Sequence, residues 1–214
     1  MAADVFVYLD VVQFSKNGVQ NRNQVKTAKG ATWLTIPVKQ HLGQKLSEIE
    51  VADRRATTNH WKTLQANYAR TPGFAQWKSE LEDLLVTDYA LLADAVIGST
   101  EWMLNKLATK TKRVKASELN NISGESSKLV ASICRELKAD TYLTGTGALA
   151  YLEADDFESI DIKVQTWNEF EYPQSNSSVG FVKDLSTLDL ILNCPDSAAQ
   201  MITNAGGWES LPAK

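Results

Sequence analysis

The sequence predicts an α/β domain: Rossmann-like and three-layered, with a mostly parallel sheet and a helical insert in the middle. Three observations lead there. The second half alternates strand-like and helix-like runs, the pattern of parallel β-α-β winding. About residues 57–109 carry apolar side chains at helical spacing only. Near the N-terminus a short apolar run, Val5-Phe6-Val7-Tyr8-Leu9, closes on Asp10 and opens into a long polar stretch. All 214 residues read as one domain.

In chain order, residues 4–10 form a buried-strand candidate, and 32–38 a second strand whose Pro37 suggests an edge. Between them lie roughly twenty polar or small residues, read as a loop; unstructured loops that long in compact domains are generally functional or disordered. Phe14 is its one aromatic anchor. Residues 46–51 suit a short third strand. Trp61, Leu64 and Tyr68 mark one face of a helix over about 57–69. Thr71-Pro72 reads as N-cap and first turn of a second helix, and Thr87 as the cap of a third. Residues 112–115 are a strand candidate, and Ser123-Gly124 opens a helix with Leu129, Val130, Ile133, Cys134 and Leu137 on one face. A strand over 141–143 ends in Thr144-Gly145-Thr146-Gly147 and a short helix over 148–153. Residues 160–167 alternate as a strand with one wet face. Residues 175–178 read as a mobile loop, 185–192 and 197–204 as helices, and 205–214 as a frayed tail.

Net charge is −4, which argues against a broad nucleic-acid surface. No segment of 18 apolar residues exists and no signal-peptide pattern opens the chain, so no membrane insertion and a cytoplasmic location are expected. Cys134 and Cys194 make no disulfide framework. His41 and His60 lack the cysteine or acid spacing of a metal site, and Asp155-Asp156 reads as a solvated turn, so no metal is expected. Nothing specifies a cofactor.

The polar stretch carries the candidate chemistry. Gln13, Lys16, Gln20, Asn21, Arg22, Asn23 and Lys26 supply amides and cations that fix hydroxyls, amides or carboxylates by directional hydrogen bonds. Asp10, at a strand end, suits a general base or an orienting acid, and His60 a proton shuttle. Thr144, Gly145, Thr146 and Gly147 form a strand-to-helix turn whose amides could meet an anion. No Gly-Lys-Ser/Thr follows, so the turn is not a P-loop, and its glycine spacing is not the dinucleotide fingerprint. In an open α/β sheet both polar segments would meet at the carboxyl rim of the strands. Each also has a plainer use, as a capping loop or a tight turn.

Asp10-Val11-Val12-Gln13-Phe14-Ser15-Lys16, Gln20-Asn21-Arg22-Asn23 and Trp33-Leu34-Thr35-Ile36-Pro37-Val38 resemble the WbqC-like protein family. The resemblance continues through His60-Trp61, Tyr68, Tyr142 to Gly147, Tyr172-Pro173-Gln174 and Leu185 to Asp189. It implies bacterial surface-polysaccharide (O-antigen) biosynthesis, with acyl or aminoacyl transfer to an amino sugar as a suggested reaction and a sugar or nucleotide sugar as the small-molecule partner. The alternatives are a non-catalytic binding protein of the same pathway and a nucleotidyltransferase-like enzyme. Members usually carry a further N-terminal strand and a Gln-Pro loop, and often a second acid where Val11 stands. Their absence here leaves the catalytic competence of this copy open.

Overall fold

The computed structural model describes residues 2–16, 18–53 and 55–211. Its strands are β1 (Val5–Tyr8), β2 (Arg22–Thr27), β3 (Gly30–Thr35), β4 (Val38–Lys39) and β5 (Glu50–Val51). Three helices follow, α1 (Ala56–Tyr68), α2 (Pro72–Val86) and α3 (Leu92–Lys106). Then come β6 (Lys112–Lys115), α4 (Ser126–Glu136), β7 (Thr141–Thr144), β8 (Asp161–Trp167), α5 (Thr187–Asn193), α6 (Ala198–Ala205) and β9 (Gly206–Ser210). The protein is therefore mixed α/β. Its described strands pair in four small sheets rather than one continuous sheet. Of the five ladders, β1–β6 and β7–β8 are parallel, and β2–β3, β4–β5 and β8–β9 are antiparallel.

The chain divides into two compact units. One comprises residues 1–9, 110–170 and 201–214. Its core packs Val130, Ala131 and Cys134 of α4 against Ala148, Leu152, Phe157 and Ile162. Tyr142 stacks on Phe157 with ring centroids 5.3 Å apart. Burial pushes the Cys134 thiol up to about 11, which makes it an inert core residue. The other unit comprises residues 10–109 and 171–200, and so contains all of α1, α2 and α3. Trp61 of α1 stacks on Phe74 of α2 at 5.4 Å. Thr71 caps α2 as its sequence predicts: its hydroxyl accepts from the Phe74 amide at 3.4 Å.

Several boundaries differ from expectation, each for a physical reason. Much of the polar stretch is a strand, because β2 pairs with β3 over a two-residue connection. Its only apolar side chain is Val25, so no two-residue periodicity shows in the sequence. The second strand splits at Ile36-Pro37 into β3 and β4, and 46–51 becomes a 3-10 turn followed by β5. Thr87 ends α2 rather than starting α3: its hydroxyl donates back to the Asp83 carbonyl at 2.6 Å. The helix after Gly124 begins at Ser126. The element after the Thr144 turn is a 3-10 helix, Thr146–Ala150. Another, Ser177–Val179, lies in the expected loop over 175–178.

The expected tail is mostly strand: Gly206–Ser210 pairs antiparallel to β8. Its glycines mark close approach rather than fraying. A Cβ at Gly207 would lie 2.6 Å from Thr166 Oγ1. Residues 212–214 lie outside the described residues.

The glycine most closely hemmed in by backbone is Gly73 in α2. A Cβ there would lie 2.7 Å from the Ile191 carbonyl oxygen and 2.8 Å from Leu192 Cα, both on α5. Gly73→Ala is therefore expected to lower the unfolding free energy by about 1–3 kcal/mol, the usual effect of overpacking. Gly145→Ala, where an added Cβ meets nothing within 4 Å, should change it by less than about 0.5 kcal/mol. Urea unfolding of both variants checks the contrast.

Candidate functional site

The candidate site is built on the open end of the β2–β3 hairpin. Residues 10–14 first run alongside 44–47: the Ser47 amide donates to the Asp10 carbonyl and the Leu46 amide to Val12, each at 2.9 Å. Gln13 bridges Lys45 in antiparallel fashion, and the Phe14 amide donates to Gln44 at 2.9 Å. Asp10 is buried, while Gln13 and Lys16 are exposed. The chain then curls. The Gly18 amide donates to the Ser15 carbonyl, and Gln20 Oε1 accepts from the Ser15 amide at 2.6 Å. Arg22 Nε closes the curl on the Gly18 carbonyl at 3.1 Å.

From there the hairpin lines up side chains of three kinds. Asn21 exchanges hydrogen bonds with Ile36: its Nδ2 donates to the Ile36 carbonyl at 2.9 Å, and its carbonyl accepts from the Ile36 amide at 2.8 Å. Arg22 is the ladder partner of Thr35, and its guanidinium lies over the Trp33 ring, 4.4 Å from the centroid. Trp33 is 43% exposed, so the pair forms an open cation–aromatic ledge. His60, near the start of α1, reaches the same strand end: its Nε2 lies 3.0 Å from the Thr35 carbonyl oxygen. A carbonyl only accepts, so Nε2 carries the proton and Nδ1 holds the lone pair. Burial lowers the His60 pKa, partly offset by the Thr35 hydrogen bond, and keeps the ring neutral at pH 7.

The hairpin end thus brings together Gln20, Asn21, Arg22 and His60 from the sequence-predicted set. Each amide spends one end internally, Asn23 Oδ1 on the Gln24 amide. Among the described residues Gln20 Nε2, Asn21 Oδ1 and Asn23 Nδ2 have no recorded partner. Thr144, Gly145, Thr146 and Gly147 belong to the other compact unit. There the Ala148 amide donates to the Gly145 carbonyl at 3.2 Å, and the five-residue 3-10 helix replaces the helix expected to receive an anion. Among the described residues no group of three His, Cys, Asp or Glu could hold a metal.

Lys26 is placed differently. It is 1% exposed, and its ammonium donates to the Gly180 carbonyl and faces the charge of Asp189. Asp189, 0% exposed, is the centre of a buried polar network. The Tyr68 hydroxyl donates to its Oδ1 and accepts from the Lys26 amide at 2.8 Å. The Tyr172 hydroxyl donates to its Oδ2 at 2.9 Å. Burial raises the Asp189 pKa, while the phenol donors and Lys26 pull it back. Burial and Asp189 push both phenols well above their ordinary range. No sequence motif assigns a role to Tyr68, Tyr172 or Asp189. The available signal was an acid inside an apolar helical run, Leu188-Asp189-Leu190-Ile191-Leu192, because an acid there is buried only with partners.

The family model described as WbqC-like protein family matches residues 1–201. The uncharacterized protein Rv1507c of Mycobacterium tuberculosis is similar, 27% identical over 198 residues that cover 89% of this chain and 84% of that protein. No solved structure matches.

Two outcomes are expected. Asp189→Ala removes the carboxylate of the network and leaves two phenols without their acceptor, which should destabilise the protein by about 2–6 kcal/mol, at about 1–3 kcal/mol for each unsatisfied group. Tyr172→Phe should lose about 1.5–3 kcal/mol, the range for one hydrogen bond to a charged group. Denaturant unfolding measures both. In an NMR pH titration His60 should titrate below 6.5. The unfolded chain then binds more protons just below that pH, so His60 subtracts stability as pH falls through this window.

Proposed function

The chain belongs to the WbqC-like protein family, and from that premise we propose that it is a transferase acting on a sugar or sugar-nucleotide precursor of bacterial surface polysaccharide. Polysaccharide biosynthesis is the setting that the family suggests. Acyl or aminoacyl transfer to an amino sugar is the reaction class proposed within it. The observation that carries the reading is the clustering of Asn21, Arg22, Trp33 and His60 at one hairpin end, with an unprotonated His60 Nδ1.

In this reading the sugar ring rests against the Trp33–Arg22 ledge. Arg22 neutralises a phosphate or carboxylate of the precursor, and the outward ends of Gln20 and Asn21 take hydroxyls or an acetamido group. His60 Nδ1 accepts the proton that leaves the attacking amine or hydroxyl as its lone pair bonds to the acyl carbon. The carbonyl electrons move to oxygen and return as the donor's leaving group departs. Asp10 remains a proposed participant, as an orienting acid; the Thr144–Gly147 turn, in the other compact unit, is proposed separately as an anion contact and has no part in this site.

A second reading, a non-catalytic binding protein of the same pathway, draws support from the internal bonds of Arg22 Nε and the Asn21 amide, which preorganise the ledge for binding without chemistry. One experiment separates the two. Nucleotide amino sugars are offered with candidate acyl donors, and binding and turnover are followed for wild type, Arg22→Ala and His60→Gln. The transferase reading expects Arg22→Ala to weaken binding about tenfold or more, in the range of lost charge-assisted contacts. It expects His60→Gln to bind normally but turn over about 100-fold or more slowly. Binding without turnover in the wild type supports the binding-protein reading. If both variants unfold, the ledge is structural and neither reading stands.

A further inference from the structure

The three-stranded sheet β7-β8-β9 has a face with no role in the proposal above. Ile162 and Val164 of β8 point into the core, and the alternation sends Lys163, Gln165 and Trp167 the other way. Register sets Trp208 opposite Gln165, and Gly206 opposite Trp167. The two indoles are therefore diagonal neighbours on one surface, close enough for large rings to share a ligand. Trp167 is 48% exposed and Trp208 37%. Large indoles are usually well buried on average, so two open ones on one face call for an occupant.

Trp167 is held rather than loose. A Cβ at Gly206 would stand 3.5 Å from Trp167 Cζ3 and 3.8 Å from Gln165 Nε2. The ring and the amide thus converge over the Gly206 backbone, at ordinary van der Waals distance from where a Cβ would stand. Phe170 supports the same ring, with centroids 6.1 Å apart and planes at 46°.

We propose that this face is a carbohydrate platform that takes an uncharged oligosaccharide chain. A pyranose ring has C–H faces that stack on indoles and a rim of hydroxyls that need both donors and acceptors. Here two ring platforms are separated by the Gln165 amide, which supplies both, with Ser210 at the margin. A protein partner prefers a continuous apolar centre inside a polar rim, and Gln165 interrupts such a centre. Exposed Asp161 and Lys163 lie on the same face and balance in charge, which suits a neutral chain rather than a nucleic acid or a phosphate-rich surface. All these residues belong to one compact unit, and His60 and Arg22 belong to the other. The platform therefore stands independently of the transferase reading.

The test titrates cellohexaose, chitohexaose, mannohexaose and maltohexaose into the full chain, followed by tryptophan emission and calorimetry. At least one should bind, with Trp167→Ala and Trp208→Ala each weakening it at least about tenfold, the scale of one lost stacking ring. Gln165→Ala, a milder change to the same face, should weaken it less, with an unchanged melting temperature. Arg22→Ala and His60→Gln should leave it unaffected. The proposal is overturned if no hexasaccharide binds at millimolar concentration, or if the double tryptophan variant binds as well as wild type. It is also overturned if that variant converts an oligomer to a monomer in light scattering, which would make the face a protein interface.

Discussion

A carboxylate with no access to water sits at the centre of the larger compact unit. Asp189 is fully buried on α5 and is held by the phenols of Tyr68 and Tyr172 with Lys26 close by. An isolated buried carboxylate would neutralise or unfold its surroundings, so its partners have to arrive in register. Tyr68 comes from the last turn of α1, Lys26 from β2, and Tyr172 from the segment before α5. The Tyr68 hydroxyl also accepts the Lys26 amide, which ties backbone as well as side chain to the network. One buried carboxylate thus specifies where three distant stretches of chain must meet.

That constraint bears on the hairpin. Lys26 and Arg22 lie on the same strand, four residues apart, with the buried network at one end and the ledge at the other. Fixing Lys26 fixes the strand, and antiparallel pairing carries that rigidity to Trp33 and Thr35. His60 is anchored to the Thr35 carbonyl, so the base candidate rides on the same support. A site held to within fractions of an ångström needs such a second layer of locked contacts.

How much of this was legible in the sequence varied with the kind of signal. Periodic apolar elements were: the Trp61-Leu64-Tyr68 face became α1, and Ile162 and Val164 became the inner face of β8. The Thr71-Pro72 start of α2 was legible because a cap is local chemistry. β2 was hidden because its polar side chains are satisfied by pairing and by buried partners that lie far along the chain. β9 was hidden because two glycines look like disorder when their use is close approach. The polar cluster around Asn21 and Arg22 was visible by composition. Its stacking partner Trp33 and the Asp189 network were not, since both depend on contacts between residues distant in sequence or across a ladder register. Among the described residues only two of the five strand ladders are parallel, and the local alternation of elements could not show which strands would pair.

The most direct test of the proposed site is an NMR titration of the isotope-labelled chain with nucleotide amino sugars, watching the Gln20 and Asn21 amides, the Trp33 indole and the His60 ring together. Saturable shifts are expected at these groups at one shared dissociation constant, with the signals of buried Tyr68 and half-buried Tyr172 unmoved. Shifts confined to other surfaces, or none at saturating ligand, would contradict it.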